Sequence, residues 1–278
     1  MKQTTLNKAV SMTGTSLHEG HDVTLTLKPG AVDSGYVLVR TDRDGARVRV
    51  HPGNIQEVQR RTLLMENGVE VHTVEHVLAA LYGLGIDNAV IELSAPEPPA
   101  GDGSSKAFVE LAREAGVVEL DAERAEFTPT ETIEVGDDKV SIRIEPAADG
   151  LTVNYTLDYG VPFMPRTTVE FNVTPESFEQ QIGPARTFCL EQEAKALQAM
   201  GFGKGANTQN TLVVSPDGPL ENSLRYDDEY ARHKLLDVIG DLAVTGLRLN
   251  AKVTAVKSGH SQNQQVAKAL HAQYEATR

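Results

Sequence analysis

Apolar and polar residues alternate in two short stretches of the chain, and the alternation predicts two half-buried β-strands. The first covers residues 23–30 and the second residues 140–146. Each stretch ends with a charged residue followed by proline, which is a turn signal. Because the two strands are so alike, we expect the chain to contain an internal repeat.

A different pattern, apolar on most sides, predicts a buried helix over residues 232–241. Five apolar residues between positions 235 and 242 form its stripe, while His233 and Asp237 stand four apart and project from one face. Asp241 lies one turn further along the same row. Burying such groups costs several kcal/mol unless they are paired or bind a metal. The two interpretations that remain are a His/Asp pair within a core helix and a metal site.

The repeat is strongest between residues 76–83 and 233–240. Both segments have His first, Leu two positions later and Gly seven positions later, at an offset of 157. The same offset aligns residues 102–104 with 259–261, and helical stretches follow at 108–112 and 266–270. Chance alignment of apolar helices is the alternative. The two strands lie only 117 apart, so the second half should carry about forty additional residues.

We place that insertion at residues 189–218. It has a helical run at 193–200, a glycine-rich segment at 201–205 and a short strand at 211–214, which together predict a βαβ-like unit. Strands and helices are otherwise mixed without regular βαβ alternation. This favours an α+β fold of two layered domains with similar topology, with the active site between them. Polar residues and proline near 120–130 predict domains over residues 1–123 and 127–278.

Composition narrows the possible partners and the compartment. The 26 Lys and Arg residues against 39 Asp and Glu give a net charge of −13, which argues against a nucleic-acid-binding protein. Cys189 is the single cysteine, so no intrachain disulfide can form and a reducing compartment is expected. The first residues lack the apolar run of a signal peptide, and no stretch is long enough to span a membrane. A cytoplasmic location is therefore predicted.

If the halves are duplicated, His76 and His233 occupy equivalent positions and can converge, and Asp237 adds a carboxylate. Two imidazoles and one carboxylate suit a catalytic zinc ion with an open position for water, and they suit Fe²⁺ equally. Glu75, beside His76, is then placed to take a proton from water. The alternative for Glu75 is a simple helix-start acid near the helix dipole.

One further histidine follows a predicted strand at residues 251–256. His260, in the segment 257–260, is free to approach a substrate as a general acid, and Asp241 can hold it in its charged form. A solvent-exposed loop histidine without function is the alternative.

Short motifs are spread over nearly the whole chain. They are Thr13-Gly14, Leu17-His18-Glu19-Gly20, Thr73-Val74-Glu75-His76, Gly85-Ile86-Asp87-Asn88, Asp102-Gly103-Ser104, Ala185-Arg186-Thr187-Phe188, Arg232-His233-Lys234-Leu235-Leu236-Asp237, Gly240-Asp241 and Lys257-Ser258-Gly259-His260. Together they resemble the motifs of the zinc-dependent UDP-3-O-acyl-N-acetylglucosamine deacetylase family of lipid A synthesis.

The resemblance implies roles at a metal centre and two domains of one topology. His76, His233 and Asp237 would ligate zinc, with Glu75 as the base. His260, held by Asp241, would be the cation or acid near the leaving amine. Thr187 would donate a hydrogen bond to the tetrahedral oxyanion.

The resemblance also implies contacts with the substrate, UDP-3-O-acyl-N-acetylglucosamine. Lys234 and Lys257 would meet the anionic sugar diphosphate, with His18 at the same end. Phe188 and the inserted segment would border a passage for the acyl chain. Two departures from the family pattern bear on these contacts and on acyl-chain preference: Glu193 stands where the family has aspartate, and the segment around Gly205 reads Gly203-Lys204-Gly205 with an added charge.

Two other functions stay open from the sequence. One is a noncatalytic protein that binds a sugar nucleotide or lipid, and the other is a metal-dependent amidase, lyase or dehydratase with a different substrate. No hot-dog dehydratase domain is visible in the chain. We expect a monomer, with at most transient contact with a membrane.

Overall fold

A computed structural model describes all 278 residues, as twenty strands and six helices. The first half contains two helices and ten strands: β1 Lys2–Leu6, β2 Val10–Thr15, β3 Asp22–Pro29, β4 Tyr36–Arg40, β5 Ala46–Arg49, β6 Ile55–Gln56, β7 Leu63–Glu66, β8 Val69–His72, α1 Glu75–Gly83, β9 Ala89–Leu93, α2 Lys106–Ala115 and β10 Val117–Glu123.

The second half contains four helices and ten strands, which begin three residues after β10. They are β11 Glu126–Phe127, β12 Ile133–Gly136, β13 Ser141–Pro146, β14 Leu151–Leu157, β15 Thr167–Asn172, α3 Pro175–Ser177, β16 Phe188–Leu190, α4 Glu191–Ala199, β17 Leu212–Ser215, β18 Gly218–Pro219, α5 Glu229–Ala243, β19 Arg248–Leu249, β20 Ala251–Val256 and α6 His260–Ala276.

Each half is built on a five-stranded sheet, and the two sheets have the same topology. The strand orders are β2-β3-β9-β4-β5 and β12-β13-β20-β14-β15. In both, the central strand runs parallel to one neighbour and antiparallel to the other. Each central strand also lies between two helices in the chain, α1 and α2 around β9, α5 and α6 around β20. The predicted α+β fold with duplicated halves is therefore confirmed.

The alternating stretches form the predicted strands because alternate side chains face the core. In β3, Val23, Leu25 and Leu27 are buried while the intervening threonines point outward. Residues 141–146 form β13 in the same way, with Ile142 and Ile144 buried. The exact boundary between residues 123 and 127 stays a prediction.

Helices α1 and α5 pack against each other and join the halves. Every residue of α1 is buried, which explains why its sequence after Glu75 and His76 is apolar on all sides. The helices approach closely at Gly240, where a Cβ atom would lie 2.1 Å from the carbonyl oxygen of Glu75. A single apolar core of 62 residues runs through both halves. No helix has both the length and the hydropathy that a membrane span needs.

The predicted insertion in the second half is a βαβ unit. Strand β16 leads into α4, and β17 returns parallel to β16, with β18 added antiparallel to it. The backbone N–H groups of Lys204 and Gly205 donate to the carbonyl oxygens of His18 and Leu17 at 3.1 Å each. The insertion of the second half therefore rests on a loop of the first half.

The first half carries an inserted sheet of its own, which the sequence analysis did not predict. Strands β6, β7 and β8 form it between β5 and α1. The turn between β7 and β8 is Asn67-Gly68, with φ of 52° and 77°. An Asn-Gly pair between two short apolar stretches is a strong hairpin signal and could have identified this insertion.

Candidate active site

His76, His233 and Asp237 converge where α1 meets α5. His76 is the second residue of α1, while the other two lie one turn apart on α5. The Nε2 atoms of His76 and His233 lie 3.7 and 3.5 Å from Asp237 Oδ1. All three side chains are buried, and one ligand atom from each lies within 4.8 Å of the others. The two halves thus bring together the three residues that the sequence proposed as metal ligands.

The hydrogen bonds of these residues suit a bound cation. Asp237 Oδ2 accepts from the Lys234 ammonium at 2.6 Å, but the buried Oδ1 has no hydrogen-bond partner. His233 Nδ1 lies 3.1 Å from the Ala185 carbonyl oxygen. Because a carbonyl can only accept, Nδ1 carries the proton and the Nε2 lone pair points at the convergence. A metal ion would satisfy the unpaired carboxylate oxygen.

The charge state of the two α5 residues favours the same interpretation. Burial lowers the pKa of His233 to about 4, so its imidazole is neutral at physiological pH. Burial alone would raise the pKa of Asp237, but the charge of the Lys234 ammonium holds it well below its usual range. A neutral imidazole and an ionised carboxylate are the forms that bind metal.

Glu75 lies beside this set, almost fully buried at the start of α1. Its Oε2 atom accepts a hydrogen bond of 3.0 Å from the backbone N–H of Thr62. Its Oε1 atom lies 3.9 Å from His260 Nε2. Burial raises the pKa of Glu75, and the positive charge of the nearby His260 opposes that shift only in part. A carboxyl with a raised pKa is a better proton acceptor than an exposed one.

His260 begins α6 and is buried, not exposed to solvent. Its Nδ1 atom lies 2.8 Å from Asp241 Oδ2, and its Nε2 atom lies 3.9 Å from Asp237 Oδ2. Burial lowers the pKa of His260, but the charge and hydrogen bond of Asp241, with Glu75 and Asp237, raise it to about 9. His260 is therefore a cation at neutral pH, held by a carboxylate on the neighbouring helix.

The segment before β16 is anchored by a buried ion pair. Arg186 Nε lies 2.7 Å from Glu229 Oε1, and the Glu229 side chain is fully buried. The Arg186 guanidinium also donates to Asn222 Oδ1 and to the Ser223 carbonyl oxygen, at 2.9 and 2.7 Å. This ion pair also fixes the carbonyl of the preceding residue, Ala185, which orients the His233 ring.

Thr187, the next residue, is fixed by backbone hydrogen bonds to both halves. Its N–H donates to the Gly103 carbonyl oxygen at 2.8 Å, and its carbonyl oxygen accepts from Leu212 N–H at 2.9 Å. Gly103 has a φ of 82°, and a Cβ there would lie 1.9 Å from the Asn210 carbonyl oxygen, so only glycine fits. The first half thereby helps to position a side chain of the second.

A cavity of about 820 Å³ opens onto these residues, within the range of small-molecule sites. Both halves line it, and its apolar lining includes Phe188, Tyr159, Leu197, Phe202 and Val213. Arg60 and Glu193 line it from opposite halves and form an ion pair at 3.4 Å. A cavity of this kind can hold a ligand with both a polar and an apolar part.

The structure distributes the predicted site residues unevenly. Eleven of the thirteen either line the cavity or, in the case of Asp241, contact a residue that does: Glu75, His76, His233, Asp237, His260, Asp241, Thr187, Lys234, Phe188, Glu193 and His18. Gly205 contacts the first half through its backbone, and Lys257 is exposed with a φ of 56°. Neither of these two lines the cavity.

Sequence reasoning missed two polar residues next to the centre. Gln264 lies one turn after His260 on α6, so helical spacing could have identified it. Thr62 precedes β7, and no motif marks it. Both are buried, and Gln264 Nε2 donates to Thr62 Oγ1 at 2.9 Å.

Two histidines and an aspartate with an unpaired oxygen, beside a buried glutamate at the floor of a cavity, define a candidate mononuclear metal-dependent hydrolase. Comparisons with known proteins agree with this class. Residues 3–272 match the family model described as LpxC, UDP-3-O-acyl N-acetylglycosamine deacetylase. The chain therefore belongs to the UDP-3-O-acyl-N-acetylglucosamine deacetylase family, and the resemblance seen in the sequence is confirmed.

Individual relatives match over almost the whole chain. The UDP-3-O-acyl-N-acetylglucosamine deacetylase of Anaeromyxobacter dehalogenans is 40% identical over 267 residues, covering 96% of this chain and 86% of the relative. The enzyme of the same name from Marinobacter nauticus is 39% identical over 284 residues, covering 99% and 92%. The bifunctional enzyme LpxC/FabZ of Chlorobaculum tepidum is 37% identical over 297 residues, covering 96% of this chain and 64% of that protein.

Proposed function

We propose that this protein is a zinc-dependent hydrolase that removes the N-acetyl group from UDP-3-O-acyl-N-acetylglucosamine and releases acetate, the committed step of lipid A synthesis. One observation carries the proposal. His76, His233 and Asp237 converge from two halves, with one carboxylate oxygen unpaired, beside the buried Glu75. The names of the relatives supply the substrate class.

The metal would be held by His76 Nε2, His233 Nε2 and Asp237 Oδ1. Two imidazoles and a carboxylate suit Zn²⁺, and Fe²⁺ is the alternative for the same donors. When bound, the ion supplies Lewis acidity to the amide carbonyl and to water. The Lys234 ammonium stays paired with the other oxygen of Asp237 and limits the net negative charge at the site.

Glu75 would accept a proton from the attacking water as its oxygen bonds to the amide carbon. Its Oε2 atom is occupied by the Thr62 N–H, which leaves Oε1 as the oxygen free to take that proton. The raised pKa brings the carboxylate closer to the pH at which a general base works best.

The next steps need a stabilised oxyanion and a protonated leaving group. Thr187, held from both halves, would donate a hydrogen bond from its hydroxyl to the oxyanion. Preorganised donors of this kind accelerate acyl transfer. His260 would stabilise the negative charge as a cation and give its proton to the departing amine. Cleavage of the C–N bond then yields acetate and the free amino sugar.

The remaining predicted residues would contact the rest of the substrate. Phe188 and Glu193 lie on the cavity wall formed by the insertion, where the acyl chain would pass. His18 lines the cavity from the first half, and its carbonyl oxygen accepts a hydrogen bond from the Lys204 N–H of the insertion. Lys257 is exposed three residues before His260, and it is free to meet the diphosphate in a protein whose overall charge is negative.

Measuring bound metal and released acetate on the same samples tests the proposal. Wild-type protein should contain stoichiometric zinc and release acetate from UDP-3-O-acyl-N-acetylglucosamine but not from unrelated N-acetyl amides. Glu75→Gln should keep the metal while its kcat falls by about 10²–10⁴-fold. His76→Ala should lose the metal as well as the activity.

Glu114→Gln is the matched control, because Glu114 is an exposed acid on α2. It should leave both measurements unchanged. If wild-type protein bound metal and the nucleotide but released no acetate, the noncatalytic binding function would replace ours. Acetate release from a different amide alone would instead indicate an amidase with another substrate.

A further inference from the structure

Thr62 contacts two carboxyl groups of the centre, those of Glu75 and Asp241. Its backbone N–H donates to Glu75 Oε2 at 3.0 Å, and its hydroxyl makes a short hydrogen bond to Asp241 Oδ1. The side chain is fully buried and comes from the first half, whereas Asp241 belongs to the second. One residue therefore connects the candidate base with the carboxylate that holds His260.

The direction of the hydroxyl bond follows from its neighbours. Gln264 Nε2 donates to Thr62 Oγ1 at 2.9 Å, so that oxygen accepts there and its proton is left to point at Asp241. Asp241 Oδ2 already accepts from His260 Nδ1 and Asn263 Nδ2, at 2.8 and 2.9 Å. Thr62 is the one partner of Oδ1 in this fully buried carboxylate.

The backbone of Thr62 also fixes the turn that leads into α1. Its carbonyl oxygen accepts a hydrogen bond of 2.8 Å from the N–H of Thr73, two residues before Glu75. Thr73 has a φ of 56°, a left-handed conformation that is strained for a β-branched residue and persists only where the surroundings enforce it. Thr62 thus contributes to the position of Glu75 through both of its backbone polar groups.

We propose that Thr62 is a positioning residue for the deacetylase reaction. Its hydroxyl, oriented by Gln264, fixes the rotation of the Asp241 carboxylate and hence the orientation of the His260 ring. Its backbone N–H occupies Oε2 of Glu75, so that Oε1 is the oxygen that accepts the proton. The inference rests on the proposed function, since it assigns Thr62 to the same centre. A threonine that only fills space in the core is the alternative.

Thr62→Val removes the hydroxyl and keeps the shape and the backbone N–H. Outer hydrogen-bond partners of catalytic groups typically contribute 10–100-fold, so kcat should fall by about that factor. KM should stay within about twofold of wild type, because the substrate itself is not contacted. Zinc content should not change. Thr62→Ser restores a hydroxyl and should recover most of the lost kcat.

The control is Thr5→Val, at a buried threonine whose hydroxyl also donates once and accepts once. It donates to the Asn88 carbonyl oxygen and accepts from Gly30 N–H, both at 2.8 Å. This variant should lose stability without losing kcat. If Thr62→Val does not fold, Gln264→Met provides the same test, since it removes the group that orients the hydroxyl.

A double-mutant cycle separates positioning from packing. Thr62→Val should cost little further kcat in an Asp241→Asn background, because Thr62 acts through that carboxylate. Fully multiplicative losses, or a Thr62→Val enzyme with wild-type kcat, would overturn the inference. If the wild-type enzyme releases acetate, either of these results leaves the proposed function intact. A wild-type protein that releases no acetate would instead contradict the proposed function itself.

Discussion

Gly240 lies where α5 crosses α1, and an alanine there measures how tightly the two halves are packed. Its Cβ would lie 2.1 Å from the Glu75 carbonyl oxygen. Nonbonded carbon and oxygen atoms do not approach much closer than about 3 Å, so the helices would have to separate by roughly 1 Å. Because the contacted atom belongs to the backbone, no change of rotamer can relieve the overlap.

Two opposing effects set the expected magnitude. Alanine is favoured over glycine in a helix interior by about 1 kcal/mol. Overpacking a well-packed core costs about 1–3 kcal/mol, and a rigid backbone neighbour puts this site at or above the upper end. The expected net loss is about 2 kcal/mol, which lowers the Tm of a chain of this size by roughly 4–8 °C. Activity should fall too, since the displaced residue is the candidate base.

Calorimetry on Gly240→Ala and Gly83→Ala tests this reasoning. At Gly83 a Cβ would lie 2.2 Å from the ring of Phe178, a side chain that can be replaced. Gly83→Ala with Phe178→Leu should therefore recover stability relative to Gly83→Ala alone. A Gly240→Ala protein with a Tm raised by about 2–4 °C, as helix propensity alone predicts, would show that the crossing is not tightly packed.

Three further outcomes follow from the charged residues and the candidate metal ligands. Arg186→Met leaves the buried Glu229 without its cation and should lower the free energy of unfolding, measured in urea, by about 3–5 kcal/mol. Adding Glu229→Gln should recover part of this loss. Equal stability of the single and double variants would contradict this reasoning. Asp241→Asn removes the charge that raises the pKa of His260 to about 9, so the cation should be lost at lower pH and the alkaline limb of the kcat profile should move downward in pH; an unmoved limb would exclude His260 as its origin. Chelation should lower the Tm of wild-type protein but not of His76→Ala, because a ligand that binds only the native state stabilises it.

The repeat, the strands and the convergence of the candidate metal ligands could be predicted because each depends on local spacing. Two histidines at matching positions of two apolar helices indicated both the duplication and the convergence. The inserted sheet of the first half was not predicted, although its Asn67-Gly68 turn carries the hairpin pattern. The burial of His260 was not predicted either. The sequence around this histidine does not show that α1 and α5 pack against it.

Thr62 could not be identified from the sequence for a stronger reason. Its partners Glu75, Asp241 and Gln264 belong to three different helices, and its importance depends on how they are packed. Nothing in the neighbouring sequence distinguishes it from other threonines. A residue that contacts a catalytic side chain but not the substrate can be identified only from the three-dimensional structure.

The hydrogen bond between Gln264 and Thr62 joins residues 202 positions apart, and it has a consequence for synthesis on the ribosome. Glu75 and Thr62 emerge long before α6 is translated. Until α6 docks, Glu75 lacks the His260 imidazole that faces it. Thr62 likewise lacks the Gln264 amide that orients its hydroxyl. Nascent chains arrested before residue 260 should therefore be unable to turn over substrate, even if their first sheet has already formed.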